Sequence, residues 1–85
     1  MSYKIESIGG NCPVQADGVI DGMPFYFRAR GEHWSFRVAD TAAGDPVDGR
    51  GFCYVEEYPE AGWMEETEAL AFLEKAAKLY ETRKP

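Results

Sequence analysis

The chain is poor in the side chains that most often carry chemistry. Its 85 residues include one histidine, His33, and two cysteines, Cys12 and Cys53. One imidazole and two separated thiols are too few ligands for a zinc site, which takes four. His33 with either cysteine would be the minimum for nucleophilic catalysis, yet nothing in the spacing joins them. A glycine-rich phosphate loop is missing. Gly9-Gly10 runs into Asn11-Cys12-Pro13 and not into a helix, so helix-terminus anion binding is excluded there. No apolar run approaches the roughly 20 residues that cross a bilayer. The opening Met1-Ser2-Tyr3-Lys4-Ile5-Glu6 lacks a signal peptide's basic-then-apolar layout. These absences predict a cytoplasmic protein with no metal, no cofactor and no catalytic residues. A reducing compartment makes two free, mostly structural thiols the expectation over a disulfide. Cys53, in a strand pattern, is expected to pack as a small residue.

What is present is the composition of one small globular domain. Hydrophobic residues make up 45% and aromatics 14%, which leaves no room for a mostly disordered chain. At this length a single modest core is expected, with marginal stability. The net charge of −6 is unevenly distributed. Residues 1–39 balance four basic against four acidic side chains. Residues 40–68 set Arg50 alone against nine carboxylates, and residues 69–85 carry four basic against two acidic groups. The acidic surplus belongs to the middle third.

The stretch from Val14 to Val38 organises the rest. Asp21-Gly22 between apolar-rich flanks signals a two-residue type I′ hairpin turn, which needs positive φ at both central positions. That turn sets Ile20 opposite Met23, Gly18 opposite Phe25, Ala16 opposite Phe27 and Val14 opposite Ala29. A second turn at Arg30-Gly31-Glu32-His33 sets Ala29 opposite Trp34, Phe27 opposite Phe36 and Phe25 opposite Val38. Side chains alternate along a strand, so both turns select the same apolar face, and a one-residue slip in either would destroy the agreement. The other face carries Gln15, Asp17, Tyr26, Arg28, Arg30, His33, Ser35 and Arg37.

Around this core, Tyr3 to Ile8 has strand composition and suits a sheet edge. Gly9 to Pro13 reads as a hairpin loop or as a bulge in one bent strand. Asp40 to Gly51 is an acidic surface loop. Its Asp45, Asp48 and Gly49 lack the ligand spacing and terminal glutamate of a calcium loop. Phe52 to Tyr58 is a strand with two partly apolar faces. Either Cys53 and Val55 face the core, leaving Phe52, Tyr54 and Glu56 on the wet side, or the reverse holds. After Pro59-Glu60-Ala61-Gly62, a helix starts near Met64 or Glu65 and runs to about Thr82. Its stripe is Ala69, Phe72, Leu73, Ala76, Leu79 and Tyr80. Glu65, Glu66 and Glu68 at its start, with Arg83 and Lys84 at its end, suit the helix dipole. The expected fold is α+β, a four- or five-stranded antiparallel meander with one C-terminal helix across one face.

Two surfaces offer themselves for binding. The acidic run, with Glu56, Glu57, Glu60, Glu65, Glu66 and Glu68, would speed encounter with a basic protein groove, including one built for nucleic acid. Trp63 would be its anchor if exposed, and would pack over the helix start if not. The alternative site is the opposite sheet face, with Tyr26, Arg28, Arg37 and Tyr54 stacking on or contacting a nucleic acid or small anion. Set against it, those arginines would pair with Asp17 and Glu56 and merely cover the sheet. The net acidity also opposes direct nucleic-acid binding. A third reading is an accessory subunit of an enzyme.

The run Cys12-Pro13-Val14-Gln15-Ala16-Asp17-Gly18, continued by Ile20-Asp21-Gly22-Met23-Pro24-Phe25-Tyr26-Phe27-Arg28-Ala29-Arg30-Gly31 and by Trp34-Ser35, resembles a run found in short bacterial and phage-borne proteins. It implies no activity. In size and charge the chain is also similar to phage-encoded inhibitors such as anti-CRISPR proteins. That likeness implies a non-enzymatic protein that occludes a basic surface of its partner.

Overall fold

The computed structural model describes residues 3–9, 14–48 and 51–82. Five strands, β1 (Tyr3–Gly9), β2 (Gln15–Ile20), β3 (Met23–Arg30), β4 (His33–Val38) and β5 (Phe52–Glu57), form one antiparallel sheet in chain order. The helix α1 (Glu66–Thr82) follows. Two short 3-10 turns, Pro46–Asp48 and Ala61–Trp63, lie either side of β5. The fold is therefore α+β, with a five-stranded meander and one C-terminal helix. None of the helices described is long and apolar enough to cross a membrane.

Both hairpin turns take the geometry that their residues demand. Asp21 and Gly22 have φ of 50° and 81°, the paired positive values of a type I′ turn, and Gly31 has φ 63°. The resulting registers are Ile20 with Met23, Gly18 with Phe25 and Ala16 with Phe27, then Phe25 with Val38, Phe27 with Phe36 and Ala29 with Trp34. The Ala29 N–H donates to the Val14 carbonyl at 3.1 Å, extending the same alignment by one step.

The apolar face is buried throughout. Trp34, Phe25, Phe27, Phe36, Ile20, Val14 and Val38 are fully enclosed, together with Leu73 of α1. Removing each large side chain from water contributes about 1.5–3 kcal/mol before chain entropy is subtracted. From α1, the buried residues are Ala69, Leu73, Ala76, Ala77 and Tyr80, with Phe72 half-buried beside them. Phe72 stacks obliquely on Trp34 with centroids 5.2 Å apart, which locks the helix over β4.

β1 joins β2 as an antiparallel edge strand, so the two are arms of a hairpin and not one bent strand. The connection at residues 10–13 lies outside the described residues. Tyr3, Ile5 and Ile8 all pack against the core, although the step from 5 to 8 breaks strict alternation. A register shift between Ile5 and Ser7 reconciles them. The extra residue of a bulge resets which side chains face inward. Gly18, paired with Ile5, sits so close to the Lys4 carbonyl that a Cβ would collide with it.

β5 adopts the second of its two readings. Val38 pairs with Phe52, Phe36 with Tyr54 and Trp34 with Glu56. Phe52, Tyr54 and Glu56 therefore lie on the helix side, while Cys53 and Val55 point outward, Val55 being 52% exposed. This corrects two expectations. Cys53 is not packed but an exposed free thiol. Tyr54 does not share a surface with Tyr26, Arg28 and Arg37. The reason is aromatic packing at the sheet edge. Tyr54 meets Trp34 at 5.5 Å, and Phe52 meets Phe36 at 6.3 Å and Tyr80 at 5.3 Å. Two aromatic rings bury far more apolar area under α1 than Cys53 and Val55 would.

Candidate functional site

The sequence points to two surfaces, and the fold puts them in different places. The first is the connection between β5 and α1. Its backbone is tied to the β3–β4 turn. Tyr58 N–H donates to the Glu32 carbonyl at 2.8 Å, and Gly62 N–H to the Gly31 carbonyl at 3.0 Å. Within it, Trp63 N–H donates to Glu60 O at 2.9 Å and Met64 N–H to Ala61 O at 3.1 Å. Ala61 and Met64 take the buried positions of this tight turn, which turns Trp63 outward and leaves it 78% exposed. Met64 is extended, with φ −60° and ψ 134°, so α1 starts two residues later, at Glu66.

The seven residues expected around this surface divide by what they do. Glu60, Glu65 and Glu66 are exposed and lie within three positions of Trp63. Glu57 is exposed too, but on the outer sheet face, in register with His33. Glu68 is committed internally. It accepts the Tyr58 hydroxyl proton at 2.7 Å and the Glu65 N–H at 3.4 Å, the latter a cap on the first turn of α1. The Glu68 carboxylate holds the Tyr58 phenol above its usual range. Glu56 is also committed. It takes a hydrogen bond from Lys75 Nζ at 2.6 Å and from Tyr54 Oη at 2.9 Å. The Lys75 bond holds the Glu56 carboxyl below the usual carboxylate range against the opposing effect of burial. The Tyr54 hydroxyl adds to the lowering. The same carboxylate raises both Lys75 and Tyr54. Glu56 and Glu68 therefore belong to the packing of α1 on β5 more than to an open acidic face.

The second surface is the outer sheet face. Tyr26, Arg28 and Arg30 of β3, His33, Ser35 and Arg37 of β4, and Val47 of the 3-10 turn line a groove of about 440 Å³. Strand alternation places the polar residues on this side, and antiparallel pairing sets Tyr26 beside Arg37 and Arg28 beside Ser35. The Tyr26 hydroxyl is held by Gln15 Oε1 at 2.6 Å. The expected covering pairs do not form. Among the described residues, none of the three arginines makes an ion pair, and Glu56 is turned to the helix side. Arg28 Nε is buried without an acceptor. Tyr54 is absent from this face, whereas Arg30, His33 and Ser35 belong to it. The alternation of the hairpin already signalled those three. Val47 came from a loop with no periodicity and had no such signal.

Other combinations raised by the sequence are kept apart. His33 pairs with Glu57, four positions along β5 from Cys53, roughly 13 Å of strand. Cys12 lies outside the described residues. Among the described residues, no three histidine, cysteine, aspartate or glutamate side chains gather as a metal site. A depression on α1, lined by Ala71, Glu74, Lys75, Lys78, Leu79 and Thr82, has its charges already used. Lys75 bonds to Glu56, and Lys78 lies 3.7 Å from Glu74.

The fold and these surfaces define a small sheet-and-helix protein with an acidic, tryptophan-tipped turn between β5 and α1 and a basic groove on the outer sheet face. No protein-family model matches the chain, and no curated protein or solved structure gives a significant match.

Proposed function

We propose that this chain is a non-enzymatic cytoplasmic binding protein that occludes a basic surface of a partner protein. The partner surface would be of the kind that holds nucleic acid, in the manner of phage-encoded inhibitors such as anti-CRISPR proteins. The observation that supports this reading is Trp63. It is 78% exposed on a turn whose backbone is fixed by the β3–β4 hairpin. The backbone beneath the anchor is already ordered, so docking has only the indole's own rotamers left to fix. Glu60, Glu65 and Glu66 frame it with negative charge. That charge would steer a basic partner and reject acidic ones. Glu57 would extend the contact round the edge of β5, with Glu56 and Glu68 supporting from behind.

The test is a titration of the partner captured from the native host, read by tryptophan fluorescence. Trp34 is sealed in the core, so a change on binding reports Trp63. Association should fall steeply as salt rises from about 50 to 300 mM. Trp63→Ala should weaken it by about 30-fold, the scale of an interface hot spot. Affinity that ignores both salt and Trp63 would refute the reading.

A further inference from the structure

We propose that the outer-face groove is a binding site for a small phosphate-bearing ligand of nucleotide size, contacted through Arg28, Arg30 and Arg37. Its volume of about 440 Å³ falls within the range of small-molecule sites. Three arginines from the adjacent strands β3 and β4 line it. The chain has fifteen acidic side chains and a net charge of −6, yet none of the three arginines is neutralised by an ion pair among the described residues. Clustered like charges repel one another, and an added anion relieves that repulsion. Arginine's planar fork suits phosphate oxygens. Ser35 and His33 add polar groups to the walls, and Tyr26 and Val47 add an aromatic and an apolar one.

The surroundings favour a compact anion over a nucleic-acid strand. Non-specific strand binding uses several aromatic rings on which successive bases stack. With Tyr54 turned to the helix side, Tyr26 and the His33 imidazole are the aromatic rings lining the groove among the described residues. A strand leaving the groove would also pass Asp17 beside Tyr26 and Glu57 beside His33. An extended polyanion has to run past both carboxylates, whereas a compact anion stays among the arginines.

Calorimetric titration of the full chain with inorganic pyrophosphate, with ATP and with a ten-nucleotide thymidine strand tests the site. Pyrophosphate and ATP should each saturate one competitive site. Backbone amide shifts should centre on residues 26–37. Arg28→Gln and Arg37→Gln should each weaken both ligands about tenfold or more. Lys78→Gln removes the same charge from the far side of α1 and should leave binding unchanged. Two arginine variants are used so that a folding defect in one does not remove the test, with amide spectra reporting the fold of each. No saturable binding of either ligand at about 1 mM, the weak end of specific affinities, would overturn the proposal. So would equal weakening in Lys78→Gln. A strand bound more than about tenfold tighter than ATP would overturn the small-ligand assignment in favour of nucleic acid.

Discussion

Trp34 and Trp63 share a side chain and almost nothing else. Trp34 touches Phe27, Tyr54 and Phe72 at centroid distances of 5.2–5.5 Å and has no exposed surface. Trp63 stands in solvent. Trp34→Ala should therefore cost about 3–5 kcal/mol, a large share of the stability of a domain this small. Trp63→Ala should stay within about 0.5 kcal/mol. Urea unfolding of the two variants measures the contrast, and a large loss at Trp63 would show that the turn leans on its indole. At the same scale, Glu56 gives the fold a pH dependence. Its carboxyl titrates lower in the folded protein, chiefly because Lys75 bonds to its ionised form. That contribution is complete above the ordinary glutamate range and is lost as pH falls through the depressed folded value. The stability gap between wild type and Glu56→Gln should hold between about pH 6 and 7 and narrow below about pH 4.5. Unfolding curves across that range would show it, and a gap that widens in acid would contradict the assignment.

Among the elements, the two hairpins and β1 differ in how tightly they are specified. Gly22, at φ 81°, sits in a two-residue loop where an L side chain is strained. Gly22→Val should destabilise the sheet by about 1–2 kcal/mol, measurable by denaturant unfolding. β1 is an edge strand that lies against Gly18, and Gly18→Val would drive a branched side chain into the Lys4 carbonyl. Amide exchange should then lose protection across Tyr3–Gly9 first, with β3 and β4 holding theirs. Uniform loss of protection would mean that β1 does not open as a separate unit. The registers of β2, β3 and β4 were legible in the sequence because each turn names its own φ requirement. The bulge in β1 was not, since Tyr3, Ile5 and Ile8 do not share one period.

Taken as a molecule, the chain separates charge by place. Carboxylates crowd the β5–α1 connection and three arginines line the outer sheet face. A net charge of −6 on a chain of this length opposes compaction by self-repulsion. The melting midpoint should rise as salt increases from about 10 to 300 mM. The rise should be smaller in a variant carrying Glu60→Gln, Glu65→Gln and Glu66→Gln. Thermal unfolding at several salt concentrations checks both statements. Half of the candidate surface was legible in advance. Trp63 and its flanking glutamates stood out by composition, but the conversion of Glu56 and Glu68 into supports for tyrosine and lysine depends on contacts across elements.

Local chemistry alone was enough for the turns, the face that faces the core, the helix and most of its stripe, where Ala77 and not Leu79 joins the core, because each rests on a neighbour a few residues away. Three features waited for the tertiary structure. The face of β5 is degenerate in its own pattern, and only the aromatic rings of Trp34, Phe36 and Tyr80 choose it. The exposure of Trp63 follows from Ala61 and Met64 taking the buried positions. Glu56 is lost to the outer-face arginines because it faces α1 and pairs with Lys75. For β5 and for Glu56 the deciding partner lies far along the chain, where no local period reaches, and the turn that carries Trp63 is itself held by backbone bonds to Gly31 and Glu32.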